Sequence, residues 1–168
     1  MARLGFHQSD IPERLPLDII EEVLSKQGWR LSRLREEEIE AEYNGRWCNY
    51  TLHFAWSDEI CAIHFTCAFD IRVPIVKISE VNDLLALVND KLWLGHFCIW
   101  QAEAMPMYRH AFPLRGTDSI THQQVEDLLE TAITECEKFY PAFQYVIWGG
   151  KNPSEAIEAS ILEPLGEA

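Results

Sequence analysis

Positive charge is scarce in this sequence. Fourteen lysines and arginines stand against 27 aspartates and glutamates in 168 residues, a formal net charge of −13. Such a chain repels polyanions, which argues against nucleic acid and anionic membranes as partners. Long apolar runs are missing as well. No stretch reaches the roughly 18 apolar residues of a membrane span, and Met1 to Arg14 lack the apolar core of a signal peptide. The expected location is therefore the cytoplasm. There is no Cys-x-x-Cys pair. The five cysteines, at 48, 61, 67, 98 and 136, are odd in number and irregular in spacing, so they read as reduced thiols. No glycine-rich phosphate loop is present; Gly149-Gly150-Lys151 lacks that spacing and reads as a helix stop. A nucleophile-elbow pattern is also missing, as are internal repeats and low-complexity segments. No enzyme, cofactor or metal requirement is expected from motifs.

What is present is ordinary globular composition, 48% apolar and 24% charged. A chain of this length buries roughly 70% of its unfolded surface and needs no staples. The expected organisation is a mobile tail over residues 1–15, one domain over 16–163 and a loose end over 164–168. The negative charge is uneven: residues 121–168 carry two basic groups and nine acidic ones.

Pro16 suits a first helical turn, and Leu17, Ile20, Val23 and Leu24 recur at helical spacing until Gly28. Three strands follow over residues 38–70. Glu38 to Tyr43 alternates, and Asn44-Gly45 is a hairpin signal that places Tyr43 opposite Arg46, Ala41 opposite Cys48 and Ile39 opposite Tyr50. The next turn, Ser57-Asp58-Glu59, places Trp56 opposite Cys61, Phe54 opposite Ile63 and Leu52 opposite Phe65. One face is then apolar throughout. Ser79 is placed to cap a helix running to Leu92, with Asn89 facing away. A hairpin of His96–Trp100 and Met105–Leu114 follows, and Pro106 and Pro113 put its second strand at an edge or limit its pairing. Thr121 and Gln124 form a capping box for the longest helix, which Pro141 should kink or break. Asn152-Pro153-Ser154-Glu155 opens a last short helix. Strands in antiparallel runs with helices between them define an α+β domain, helices against one face of the sheet.

On the outer face, His53 and His64 fall directly opposite each other, with Glu36 or Glu38 nearby. Two imidazoles and a carboxylate are a conceivable metal site; a half-exposed polar pair on a sheet is the commoner reading. The same face pairs Thr51 with Thr66 and Ala55 with Ala62, small residues that let another layer approach. Cys48, Cys61, Cys67 and Cys136 fall on apolar stripes and read as core. Of the six tryptophans, Trp47, Trp93 and Trp148 are candidates for a protein interface, where this residue type is enriched.

Several segments together resemble a known family: Pro16-Leu17-Asp18, Gly45-Arg46-Trp47-Cys48, Phe54-Ala55-Trp56, Cys67-Ala68-Phe69-Asp70, Arg72-Val73-Pro74, Leu92-Trp93-Leu94-Gly95-His96-Phe97, Tyr108-Arg109-His110-Ala111, Phe139-Tyr140-Pro141-Ala142-Phe143 and Trp148-Gly149-Gly150-Lys151. The set resembles the YbjN family of bacterial proteins, particularly its alphaproteobacterial branch, over about residues 16–162. The resemblance implies a fold like that of type III secretion chaperones, which are small, acidic, cytoplasmic and usually dimeric. The family is labelled a sensory transduction regulator, and that label supplies no catalytic or ligand residues. The expected function is a non-enzymatic regulator that binds another protein as a chaperone-like homodimeric adaptor. The alternative is a small-molecule or metal sensor using the His53/His64 face.

Overall fold

The computed structural model describes residues 15–117 and 119–162. The expected tails therefore lie almost wholly outside the described residues; Leu15, which is within them, packs half-buried on the core. Helix α1 (Pro16–Lys26) starts on its proline and buries Leu17, Ile20, Val23 and Leu24. Gly28 turns the chain at φ +72°, a conformation that favours glycine. Strands β1 (Arg30–Arg35), β2 (Glu38–Asn44), β3 (Asn49–Ser57) and β4 (Ala62–Ala68) follow, then a short 3₁₀ turn and helix α2 (Ile78–Asn89). Strands β5 (His96–Trp100) and β6 (Met105–Pro113) precede helices α3 (His122–Ile147) and α4 (Pro153–Leu162). The strands form one antiparallel sheet in the order β1-β2-β3-β4-β6-β5. This is the expected α+β architecture, with one strand more than the sequence pattern indicates.

That extra strand, β1, breaks the apolar alternation because its inward side mixes Leu31, packed on the core, with a charged residue. Arg33 pairs across the ladder with buried Ile39 and so shares its face. Its Nη1 donates to Asp18 and Glu21 of α1, both at 2.8 Å.

The inner face is as apolar as expected, but both hairpin registers differ. Ala41 lies opposite Leu52 and Ile39 opposite Phe54. Trp56 lies opposite Ile63, Phe54 opposite Phe65 and Leu52 opposite Cys67. Each shift is by an even number of residues, so every side chain keeps its face. The physical reason differs between the two hairpins. Asn44-Gly45 does not make the two-residue turn with two positive φ angles. Instead the Gly45 N–H reaches the Cys48 carbonyl at 3.0 Å, closing a longer loop. The Arg46 N–H donates to Oε1 of Glu137 on α3 at 2.9 Å, tying that loop down. A side chain on Gly45 would collide with Glu137 and with the Tyr50 ring. In the second hairpin Cys61 adopts φ +48° within the turn and leaves the ladder to Ala62.

Helix α3 runs unbroken through Pro141. Proline cannot donate to the carbonyl four residues back, that of Glu137. The indole Nε1–H of Trp47 donates to that same carbonyl at 2.9 Å. The vacancy created by Pro141 is thus filled from the β2–β3 loop, and the helix needs no break.

Two further expectations are corrected. Helix α2 begins one residue before Ser79, with Lys77 at the cap and no side-chain cap bond, and ends at Asn89. Asn89 does not face away. Its side chain accepts from the Phe97 N–H at 2.7 Å and donates to the Phe97 carbonyl at 3.0 Å. One side-chain amide thereby imitates a neighbouring strand along edge strand β5. Strand β6 is internal despite its prolines, because Pro106 is its second residue and Pro113 its last. Both capping boxes form: Thr121 with Gln124, and Asn152 with Glu155.

The core lies between the inner sheet face and the helices. Phe69 is at its centre, with ring contacts to Tyr50, Phe97, Tyr140 and Phe143 at 5.2–5.9 Å between centroids. No described helix is long and apolar enough to cross a membrane.

Candidate functional site

Period-two alternation sends one set of side chains from each strand to the face away from the helices. The register lines them up. One row across the sheet reads Glu40, His53, Thr66, Arg109, His96. The row on one side reads Glu42, Thr51, Ala68, Met107, Cys98. On the other side lie Glu38, Ala55, His64 and Ala111. Met105 and Trp100 are paired at the end of the β5–β6 hairpin. Because side chains in the middle of this face are small, the surface is concave there. The concavity measures about 520 Å³ and is lined by ten residues, from Glu40 through His53, His64 and Thr66 to Trp100, Met105, Met107 and Arg109.

His53 and His64 both reach this concavity, but they are not opposite each other. His53 faces Thr66, and His64 faces Ala55. Likewise Thr51 faces Ala68 rather than Thr66, and Ala55 does not meet Ala62. The cause is the two-residue register shift at Cys61. His53 lies 3.9 Å from the Glu38 carboxylate. His64 is engaged otherwise: its Nε2 accepts from Arg109 Nε–H at 2.7 Å. Burial, then the charge of Arg109, hold the His64 imidazolium pKa below its usual value. The neutral ring with a free Nε2 lone pair is the form that this bond requires. A cation at Nε2 of His64 would have to displace a guanidinium. Among the described residues no three His, Cys, Asp or Glu side chains are grouped as metal ligands. The arrangement does not fit a metal.

Three of the thiols are unsuited to nucleophilic chemistry. Burial pushes the Cys48 thiol up to about 12 and raises the Cys98 and Cys136 thiols. A reactive thiolate needs the opposite shift.

The tryptophan candidates separate. Trp47 is half-buried, its indole committed to Glu137 and its ring under the Arg46 guanidinium at 4.6 Å. Trp93 is 100% exposed on the loop between α2 and β5, and Trp148 is 63% exposed at the end of α3. Arg109, Trp100, Met105 and Met107 were not among the candidate residues legible in the sequence. No local pattern marks them; they meet only because β6 inserts between β4 and β5.

A family model described as "YbjN: Putative bacterial sensory transduction regulator" matches residues 16–145. No curated protein matches the chain. Among solved structures, the chain is similar to the crystal structure of "YbjN, a putative transcription regulator from E. coli", at 12% identity over 89% of this chain and 90% of that one, with a TM-score of 0.48.

Proposed function

The chain belongs to the YbjN family, described as bacterial sensory transduction regulators, and from that membership we propose that it is a non-enzymatic regulator acting through protein–protein binding. In this reading it works in the cytoplasm as a chaperone-like, homodimeric adaptor. The observation that carries the reading is Trp93. A tryptophan is rarely left wholly in water, and here Trp93, followed by half-exposed Leu94, contributes nothing to the core. Large aromatic side chains of this kind become binding hot spots when a partner buries them. Trp148 is a second such group. The net charge of −13 favours partners with a basic surface by electrostatic steering.

The test is light scattering on the purified chain, with affinity capture from the native cytoplasm, each repeated with Trp93→Ala and Trp148→Ala. A dimer, and a specific partner lost with Trp93→Ala, are the expected results. A monomer that captures the same proteins with and without Trp93 contradicts the reading.

A second reading, small-molecule sensing at the outer sheet face, is favoured by the concavity over His53 and His64. Its volume falls within the range of small-ligand sites, about 300–1,000 Å³, whereas the metal version lacks a third ligand.

A further inference from the structure

The chemistry of the concavity narrows what a small ligand there must be. Arg109 is unusual among the arginines. Arg30, Arg33, Arg35 and Arg72 each lie within 4.0 Å of a carboxylate. Arg109 pairs with no carboxylate among the described residues, although the chain has 27 acidic residues. Its one protein hydrogen bond is the Nε–H donated to neutral His64. That bond uses the Nε–H, orients the guanidinium, and leaves both Nη groups without an acceptor among the described residues. Thr66 lies beside Arg109 in the register and on the lining of the same concavity, and its hydroxyl has no side-chain hydrogen bond among the described residues. A fixed, unpaired fork of this kind matches a carboxylate in two-point geometry.

The surroundings are apolar on one side only. Met107 and Met105 continue along β6 from Arg109, and Trp100 pairs with Met105. Met107 is buried and Trp100 is 47% exposed, and both line the concavity together with Met105 and Arg109. From Arg109 to Met105 the strand spans about 13 Å. The carboxylates Glu38, Glu40 and Glu42 all sit at the far side, on β2. The face is thus polarised, with the anion site beside β5 and repulsion on the opposite side.

We propose that the outer-face concavity binds a free amphipathic monocarboxylate, its carboxylate held by Arg109 and Thr66 and its chain laid along Met107, Met105 and Trp100. This rests on the small-molecule reading of the outer face and is independent of the adaptor reading. The volume of about 520 Å³ suits such a molecule.

The test uses isothermal titration of the intact chain with decanoate, decan-1-ol and decylamine. Methyl resonances of Met105 and Met107 report the location. Decanoate should bind about ten-fold or more tighter than decan-1-ol, as expected for a charge-assisted contact, and decylamine weakest. Arg109→Gln should remove that advantage, and Arg109→Lys should restore only part of it. Unchanged urea midpoints show that both variants fold. If decan-1-ol binds equally well and shifts the same methyls, the site stands and the carboxylate assignment falls. If no compound shifts those methyls, the small-molecule reading falls with it.

Discussion

The two faces of the sheet are made by the same strands, yet they are built from different chemistry. The inner face carries Tyr50, Phe54, Phe65, Phe97 and Tyr108, all fully buried under the helices. The outer face carries glutamate, threonine, alanine, histidine, methionine, Trp100, and an arginine with no carboxylate partner among the described residues. The inner face holds the fold together, and the outer face is free to recognise something. Period-two alternation makes this division possible, because a substitution at one residue leaves the neighbouring face untouched. The internal devices that protect the first face, Trp47 under α3 and Asn89 along β5, are polar groups spent on backbone rather than on ligands.

The comparison breaks most visibly at its centre. Phe69→Ala removes the ring at the hub of four aromatic contacts and should cost about 3–5 kcal/mol in urea unfolding, whereas Thr66→Ala, on the other face, should stay within about 0.5 kcal/mol. Next is Trp47→Phe, which keeps a ring but leaves the Glu137 carbonyl without its donor. It should cost about 1–3 kcal/mol. Pro141→Ala supplies an N–H to the same carbonyl, so the double variant should recover at least part of the loss. Recovery of nothing would mean that Trp47 acts by packing alone. Asn89→Ala should cost about 1–2 kcal/mol for two hydrogen bonds and should speed hydrogen exchange at the Phe97 amide.

The smallest expected effect is the pH dependence. Burial lowers the pKa of His64 on the outer face and of His110 on the inner side. The unfolded chain therefore takes up protons more readily than the folded one. The stability linked to both groups is fully present above about pH 6.5 and is lost as pH falls below it towards their folded values. Denaturant midpoints of His64→Gln and His110→Gln, followed across that range, divide the loss between the faces. A midpoint that rises on acidification would contradict the assignment.

Faces, the capping boxes of α3 and α4 and the β5–β6 hairpin were legible in the sequence because each depends on residues a few positions apart, whereas the cap placed at Ser79 did not form. Register was not. The loop after Asn44 is set by Glu137, 91 residues away from Arg46, and no local pattern carries that contact. Strand β1 was hidden because Arg33 occupies an inward position that periodicity reserves for an apolar residue. Pro141 reads locally as a breaker, and only the fold brings Trp47 to the carbonyl it orphans. The outer-face site was half legible: alternation put His53 and His64 on it, while strand order supplied Arg109. The role of Arg109 follows from the missing carboxylate beside it, a property of the folded surface.

The most direct test of the division between faces is a paired measurement on Arg109→Gln, its urea midpoint alongside its affinity for decanoate. Expected are a stability within about 0.5 kcal/mol of the parent chain and an affinity about ten-fold weaker or worse. A variant that loses stability and binding together, or neither, would contradict that division.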